Sequence, residues 1–266
     1  MENYPLVTII TIVFNGEKFI ADAIRSVKAQ RYPNIEYIVV DGGSKDGTLD
    51  IVGQFADTVT FLISEKDEGI SDAFNKGLRL AKGEIIGIIN ADDWYEHDTV
   101  EKVVAAMPDL DVVYGDLRLW KGDKVDFIYK GDHRHLINEM TVNHPTVFVR
   151  RQCYDRFGYF DKKFRCAMDY DLMLRLWVNG CRFGYIPGVL ANMRWEGVSD
   201  SRWLLGCQET LAIKNRYLAR RHWRNRLYFY KHVLANGAPR LLKRFGLGFV
   251  TRFYRTYLSK VKKVYE

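Results

Sequence analysis

Between Ser64 and Asp93 the chain reads SEKDEGISDAFNKGLRLAKGEIIGIINADD: an acidic loop, a helical segment, and an apolar run that stops at two adjacent carboxylates. The run Ile85, Ile86, Gly87, Ile88, Ile89 is β-branched and too short for a helix, so it suits a strand covered on both faces. Asp92 and Asp93 then fall at the carboxyl end of that strand, the edge at which open parallel sheets bind ligands. Neighbouring carboxylates repel unless a proton or a cation lies between them. A hard divalent cation such as Mn2+ or Mg2+ takes oxygen ligands and keeps positions for phosphate oxygens. The plainer alternative is that the pair caps a helix beginning near Glu96.

The same pattern occurs twice upstream. Val7 to Val13 (VTIITIV) and Ile35 to Val40 (IEYIVV) are short apolar runs, the first followed by Phe14-Asn15-Gly16 and the second by Asp41-Gly42-Gly43-Ser44-Lys45-Asp46-Gly47-Thr48. Between them Phe19, Ile20, Ala23, Ile24 and Val27 recur at helical spacing. Crossover connections put parallel strand ends on one edge, so Phe14-Asn15, Asp41, Asp67 and Asp92-Asp93 should converge on one acidic crevice. The chain has neither G-x-G-x-x-G after the first strand nor G-x-x-x-x-G-K-[ST] anywhere. An anionic phosphate in an acidic pocket needs a metal bridge, which points to metal plus nucleotide diphosphate.

Four segments in order, VTIITIVFN, VVDGGSKDGT, SEKDEGISDAFNKG and INADD, resemble the nucleotide-binding half of family 2 glycosyltransferases. The likeness extends over roughly residues 6 to 195. It implies a GT-A α/β fold, a mostly parallel central sheet flanked by helices, and an inverting enzyme that takes a sugar from a nucleotide diphosphate donor, most often a UDP-sugar. It also implies that Asp41 holds the base, with Asn15 and Phe14 lining the pocket, and that Asp67 fixes the nucleoside. On the same footing Asp93 is the metal ligand, Asp92 lies near the ribose, and Asp72, Asn75 and Lys76 belong to the donor-side helix.

The second half resembles the acceptor side of the same family. In Ala167-Met168-Asp169-Tyr170-Asp171-Leu172 a methionine stands where a glutamate usually precedes the aspartate, leaving Asp169 as the expected base. The competing reading makes Asp169 a helix cap and pairs Asp171 with Arg175 at i, i+4. His144, in Asn143-His144-Pro145-Thr146, is either a buried satisfied histidine or part of the site. Arg194 and Ser199 resemble a family loop over the diphosphate or acceptor. Arg202-Trp203 matches the end of the Q-x-x-R-W motif of processive synthases, but the glutamine is missing, which favours a single addition.

Composition separates a catalytic part from a tail. The whole chain is +7, yet from Ala212 to Glu266 it carries 15 Lys and Arg against one acid, Glu266, so the preceding residues are net acidic. We divide it into a GT-A domain at 1–203, with a donor half at 1–116 and an acceptor half at 117–203, and a basic helical extension at 204–266. In the tail Leu242, Phe245, Phe249, Phe253 and Tyr257 fall on one helical face, the pattern of a helix lying on an anionic membrane surface. Packing of that face on the core is one alternative; binding of single-stranded nucleic acid is another, not expected here. Gly237, Pro239, Gly246 and Gly248 are expected to break the tail into two or three helices. There is no run of 18 apolar residues, and the N-terminal apolar run lacks a basic flank, so the expected location is cytoplasmic, peripheral on the inner membrane face. The acceptor would then be a lipid-linked saccharide. Rival classes are a sugar-phosphate nucleotidyltransferase, which would place a Gly-rich basic loop at the first strand, and a non-enzymatic membrane adaptor.

Overall fold

The computed structural model describes residues 4–194 and 202–244, with the backbone alone at 236 and 239–244. The chain forms two compact units, Met1–Glu196 and Gly197–Glu266.

The first unit is built on one sheet. Its elements run β1 (Val7–Val13), α1 (Ile20–Lys28), β2 (Ile35–Asp41), α2 (Thr48–Gly53), β3 (Phe61–Ser64), α3 (Ile70–Leu80), β4 (Ile85–Ile88), β5 (Trp94–Tyr95), α4 (Thr99–Ala106), β6 (Val112–Lys121), β7 (Lys124–Tyr129), β8 (Phe148–Arg150), α5 (Arg151–Phe157), α6 (Met168–Val178) and β9 (Phe183–Arg194). The strand order is β3-β2-β1-β4-β8-β6-β9-β5, with β7 paired on β6. The half made of β3, β2, β1 and β4 is wholly parallel. Beyond it β8 runs antiparallel to both β4 and β6, while β6 and β9 are parallel and β5 is antiparallel to β9.

Helices on both faces explain why the first strands lack polar alternation. Ile9, Ile10, Ile38 and Val39 are fully buried, and α1 turns Ile20, Ala23, Ile24 and Val27 inward. The polar groups enclosed with them are paired: Thr8 Oγ1 donates to Glu36 (2.6 Å) and the Tyr37 hydroxyl to Thr11 Oγ1 (3.0 Å). Where β4 meets β8, Gly87 is required by close approach, since a Cβ there would collide with the ring of fully buried Phe148. The register sets Val13 beside Asp41 and Asp41 beside Ser64, so the strand ends form one row.

The second unit contains α7 (Trp203–Tyr217), a 3-10 turn at Ala219–Arg221 and α8 (His222–Arg244). The helix runs through Gly237 and Pro239, contrary to the sequence expectation. Gly237 lies against Trp203, where a Cβ would come 3.3 Å from the indole. Packing of that kind offsets the low helix propensity of Gly237. Leu242 lies on the α8 backbone, whereas Ser199, Phe245, Phe249, Phe253 and Tyr257 lie outside the described residues. Among the described residues no helix is long and apolar enough to cross a membrane.

Candidate active site

The expected convergence is present at the carboxyl ends of β1, β2 and β4. Asn15 takes a left-handed conformation (φ 50°), which lets the turn after β1 meet the loop after β2. Its N–H donates to Ser44 Oγ (2.7 Å), and its Oδ1 accepts from the Lys45 N–H (2.8 Å). Gly16 donates to Thr48 Oγ1 (2.9 Å), Glu17 to Asp46 (3.1 Å), and Gly47 to the Glu17 carboxylate (2.7 Å). The hydroxyl of Thr48, chiefly, holds Asp46 below the usual carboxylate range.

Asp41 is wholly buried and spends its carboxylate inside this loop. It accepts from the Gly43 N–H (3.1 Å), the Ser44 N–H (3.1 Å) and hydroxyl, and the Ser64 hydroxyl (2.6 Å). The strand-end aspartate therefore shapes the turn from within. Gly42, also buried, lies under the Asp67 carboxylate, so closely that a Cβ would collide with it. The Phe14 ring, 63% exposed, flanks the same glycine. A flat apolar ring beside a carboxylate is suited to the face and edge of a base.

The two carboxylates after β4 differ sharply. Asp92 is half-buried, whereas Asp93 is 1% exposed, and its Oδ1 has no hydrogen-bond partner. Its other oxygen accepts a long bond from Asn90 (3.3 Å), and the Arg194 backbone N–H also favours the ionised carboxyl. Burial, then the charge of Asp92, push the Asp93 carboxyl well above its ordinary range. The capping alternative fails: β5 intervenes and α4 begins at Thr99. Among the described residues no three His, Cys, Asp or Glu side chains are grouped to hold a metal. Two carboxylates with one bare oxygen are compatible with a hard divalent cation that takes further ligands from phosphate or water.

Arg194, at the end of β9, braces this corner. It donates to the Asp92 carbonyl (2.6 Å) and to Asp22 on α1 (2.6 Å), with its guanidinium 4.4 Å from the Phe19 and Trp94 ring centres. Behind it Asn192 accepts from the Trp120 indole (2.9 Å) and donates to Glu96 (2.8 Å), which Arg118 also contacts (2.7 Å). Sequence reasoning missed this network, because it exists only once β5 pairs with β9 about a hundred residues away.

Asp72, Asn75 and Lys76 are not open helix surface. The Asn75 side chain exchanges both its hydrogen bonds with the Phe160 backbone (2.9 and 3.0 Å), and Ser71 donates to the Phe164 carbonyl (3.2 Å). Asp72 takes a Lys162 ion pair (3.2 Å) and the Glu68 N–H (3.1 Å), which together outweigh burial and lower its carboxyl. Lys76 pairs with Glu65 (2.9 Å). α3 thus clamps the segment that leads into α6.

Asp169 lies in the first turn of α6, half-buried, accepting from the Tyr170 N–H (2.8 Å); the helix cap is Ala167. Asp171 is fully buried and paired with Arg175 (3.0 Å), as the i, i+4 spacing predicts. His144 packs against Phe74 on α3 and against Phe160 (ring centres 5.1 and 6.0 Å), and burial lowers its pKa to about 4.

Comparison with known proteins agrees with this architecture. The Glycosyl transferase family 2 profile matches residues 8–168, and the chain belongs to that family, with the GT-A fold. A "PGL/p-HBAD biosynthesis glycosyltransferase" of Mycobacterium bovis (strain BCG / Pasteur 1173P2) is 30% identical over 184 residues, covering 66% of this chain and 71% of the relative. An uncharacterized glycosyltransferase of Rickettsia typhi is 31% identical over 187 residues, 64% of this chain and 58% of the relative. Among solved structures, S. aureus TarS 1–349 in complex with UDP-GlcNAc superposes with a TM-score of 0.65 at 18% identity, over 96% of this chain and 76% of that one. A longer TarS structure is spanned for only 43% of its length. The mannosyltransferase PcManGT of Pyrobaculum calidifontis, in complex with GDP-Man and Mn2+, gives 0.64 at 19% identity, over 96% and 84%.

Proposed function

We propose that the protein is an inverting glycosyltransferase that moves a sugar from a UDP-sugar onto a hydroxyl of a lipid-linked saccharide. The product class would be a surface polysaccharide such as O-antigen, capsule or exopolysaccharide, made on the inner face of the cell membrane. The observation that carries the reading is the meeting of Phe14-Asn15, the Asp41-Gly42 turn, Asp67 and Asp92-Asp93 at one sheet edge. The ligands named for the two solved neighbours, UDP-GlcNAc and GDP-Man, support a nucleotide-sugar donor.

In this reading the Asp41 turn and Phe14 hold the base with Asn15 lining the pocket, Asp67 fixes the nucleoside and Asp92 lies near the ribose. Asp93 holds a divalent cation, Mn2+ or Mg2+, whose chemistry is to offset the diphosphate charge. Asp169 accepts the proton of the acceptor hydroxyl while that oxygen bonds to the anomeric carbon. The bond from that carbon to the diphosphate oxygen breaks on the opposite face, and the electron pair leaves with the nucleotide. Asp72 and Asn75 act at one remove, by holding the 160–164 segment and hence the start of α6, while Lys76, paired with Glu65, stays on the donor side. The catalytic domain spans 1–203 and the extension 204–266 provides the membrane contact.

The test is a panel of nucleotide-sugars incubated with the protein and Mn2+ or Mg2+, read by donor hydrolysis. A UDP-sugar should be hydrolysed slowly, and a chelator should stop it. If no nucleotide-sugar is turned over or bound by calorimetry, the reading fails. Release of pyrophosphate from a sugar phosphate plus nucleoside triphosphate would replace it with the nucleotidyltransferase alternative.

A further inference from the structure

α8 carries an apolar stripe that nothing in the described structure covers. Trp223, Leu227, Tyr230 and Leu234 recur at steps of four, three and four residues, which confines them to an arc of about 60° on the helix. They are 64%, 63%, 60% and 69% exposed. The opposite side of the helix is the one that packs on α7. Asn225, buried there, donates to Asn215 (3.2 Å) and to the Leu218 carbonyl (3.3 Å). Tyr228 stacks on His232 (4.0 Å) beneath the buried Lys214 ammonium (3.4 Å). Packing therefore fixes the rotation of α8 and leaves the stripe facing outward.

Basic residues border the stripe on both sides. Arg224 and Lys231 lie along one flank and Arg226 along the other, all exposed, with Arg220 and Arg221 in the turn before the helix. After Glu209 the chain has no acidic residue until Glu266.

We propose that this stripe is the surface on which the protein rests against an anionic lipid bilayer. Trp223, Leu227, Tyr230 and Leu234 enter the boundary between headgroups and acyl chains, while Arg224, Arg226 and Lys231 meet headgroup phosphates. The inference rests on the peripheral-membrane part of the function proposed above, and gives it four described residues earlier in the tail than the 242–257 face. Two other partners fit less well. Single-stranded nucleic acid rewards aromatic stacking, but half of the stripe, Leu227 and Leu234, offers no ring to a base. A second copy meeting this face about a two-fold axis would bring like-charged flanks together.

The experiment uses the full chain and sedimentation with vesicles of phosphatidylcholine, with and without phosphatidylglycerol. Wild type should bind the anionic vesicles and not the neutral ones, more weakly as salt rises. Leu227→Ser with Leu234→Ser should lower the partition constant by roughly tenfold or more, because binding scales with buried apolar area. Reversing Arg224, Arg226 and Lys231 to Glu should cost more, since each basic residue near the surface contributes roughly fivefold. Brominated lipid should quench wild-type fluorescence by an increment that Trp223→Phe removes, a reading independent of the serine variant's solubility. Equal binding by the serine variant and wild type overturns the stripe and leaves the membrane reading standing. No vesicle binding by a wild-type protein that still hydrolyses donor overturns both the stripe and the membrane reading, and spares the transferase. A wild-type dimer that the serine variant converts to monomer reassigns the stripe to self-association.

Discussion

Arg194→Met should destabilise the first unit by about 3 kcal/mol. The charged donor to the Asp92 carbonyl is the largest part, at about 1.5–3 kcal/mol for a hydrogen bond to an ionised group. The ion pair with Asp22 contributes little, about 0–1 kcal/mol, because the Asp22 carboxylate is 41% exposed and screened by solvent. The contacts with Phe19 and Trp94 contribute about 0.5–1 kcal/mol each as cation–π pairs, part of which methionine retains through its own packing. For a unit of this size the loss corresponds to a melting temperature lower by roughly 6–12 °C. Urea denaturation followed by circular dichroism measures it, and a cycle with Asp22→Asn should find a coupling of about 0.5–1 kcal/mol. Donor hydrolysis should fall by roughly tenfold to a hundredfold even at saturating metal, because the turn bearing Asp92 loses its brace. Arg194→Lys should recover part of the stability. If Arg194→Met stays within about 0.5 kcal/mol of wild type, the brace carries no load and the reasoning is wrong.

The remaining predictions concern single groups. Asp93→Ala should abolish nearly all transfer while leaving the circular dichroism spectrum unchanged; wild-type turnover by the purified variant would remove Asp93 from the metal site. Asp169→Asn should lower turnover by roughly 10²–10⁴-fold with donor affinity kept, whereas an equal loss in donor affinity would mark a structural role. His144 is held neutral by burial, with a pKa of about 4 against an ordinary 6.5, so the unfolded chain binds its proton first as pH falls. Its contribution is therefore complete above pH ~6.5 and lost down to pH ~4, by at most ~3 kcal/mol, and His144→Leu should flatten that slope in denaturation series across the window. Gly87→Ala should cost about 1–3 kcal/mol by driving a methyl into the Phe148 ring; a neutral effect would refute the close β4–β8 contact.

The parallel half of the sheet was legible because its signals are local. The apolar runs of β1, β2 and β4, and the polar turns that end them, lie contiguous in sequence, and right-handed crossovers leave little choice of edge. Bounds came out close: Val7–Val13 as expected, Ile35–Asp41 one residue longer, Ile85–Ile88 one shorter. The antiparallel insertion of β8 was not legible, since Phe148–Arg150 is three residues long and owes its place to Gly87. The burial of Asn75 was hidden for the same reason. Its partner is the backbone of Phe160, and backbone groups leave no mark on a sequence. The course of α8 through Gly237, set against Trp203, shows packing overriding propensity, which a residue scale cannot anticipate.

The acidic edge resolves into two kinds of carboxylate, and the difference decides where a cation belongs. Asp41 is as deeply buried as Asp93, yet backbone and hydroxyl donors satisfy both its oxygens, so its burial needs nothing from outside the protein. Asp93 has one long bond and one bare oxygen, and lies next to the like charge of Asp92. A buried carboxylate in that condition must either take up a proton or receive a positive partner. Arg194 supplies only part of it: its backbone N–H and its charge favour the ionised Asp93, but its guanidinium is committed to the Asp92 carbonyl and to Asp22, and burial with the Asp92 charge still prevails. The loop chemistry of Asp41 therefore builds the turn after β2, and the unmet demand of Asp93 is what the proposed metal would answer. Replacing Asp41 by Asn should accordingly loosen the 42–48 turn and reduce stability before it changes metal dependence, whereas Asp93→Asn should remove metal dependence and leave stability intact or improved. Thermal melts with and without Mn2+ on the two variants separate these outcomes, and a metal-induced shift that survives in Asp93→Asn would refute the division of labour.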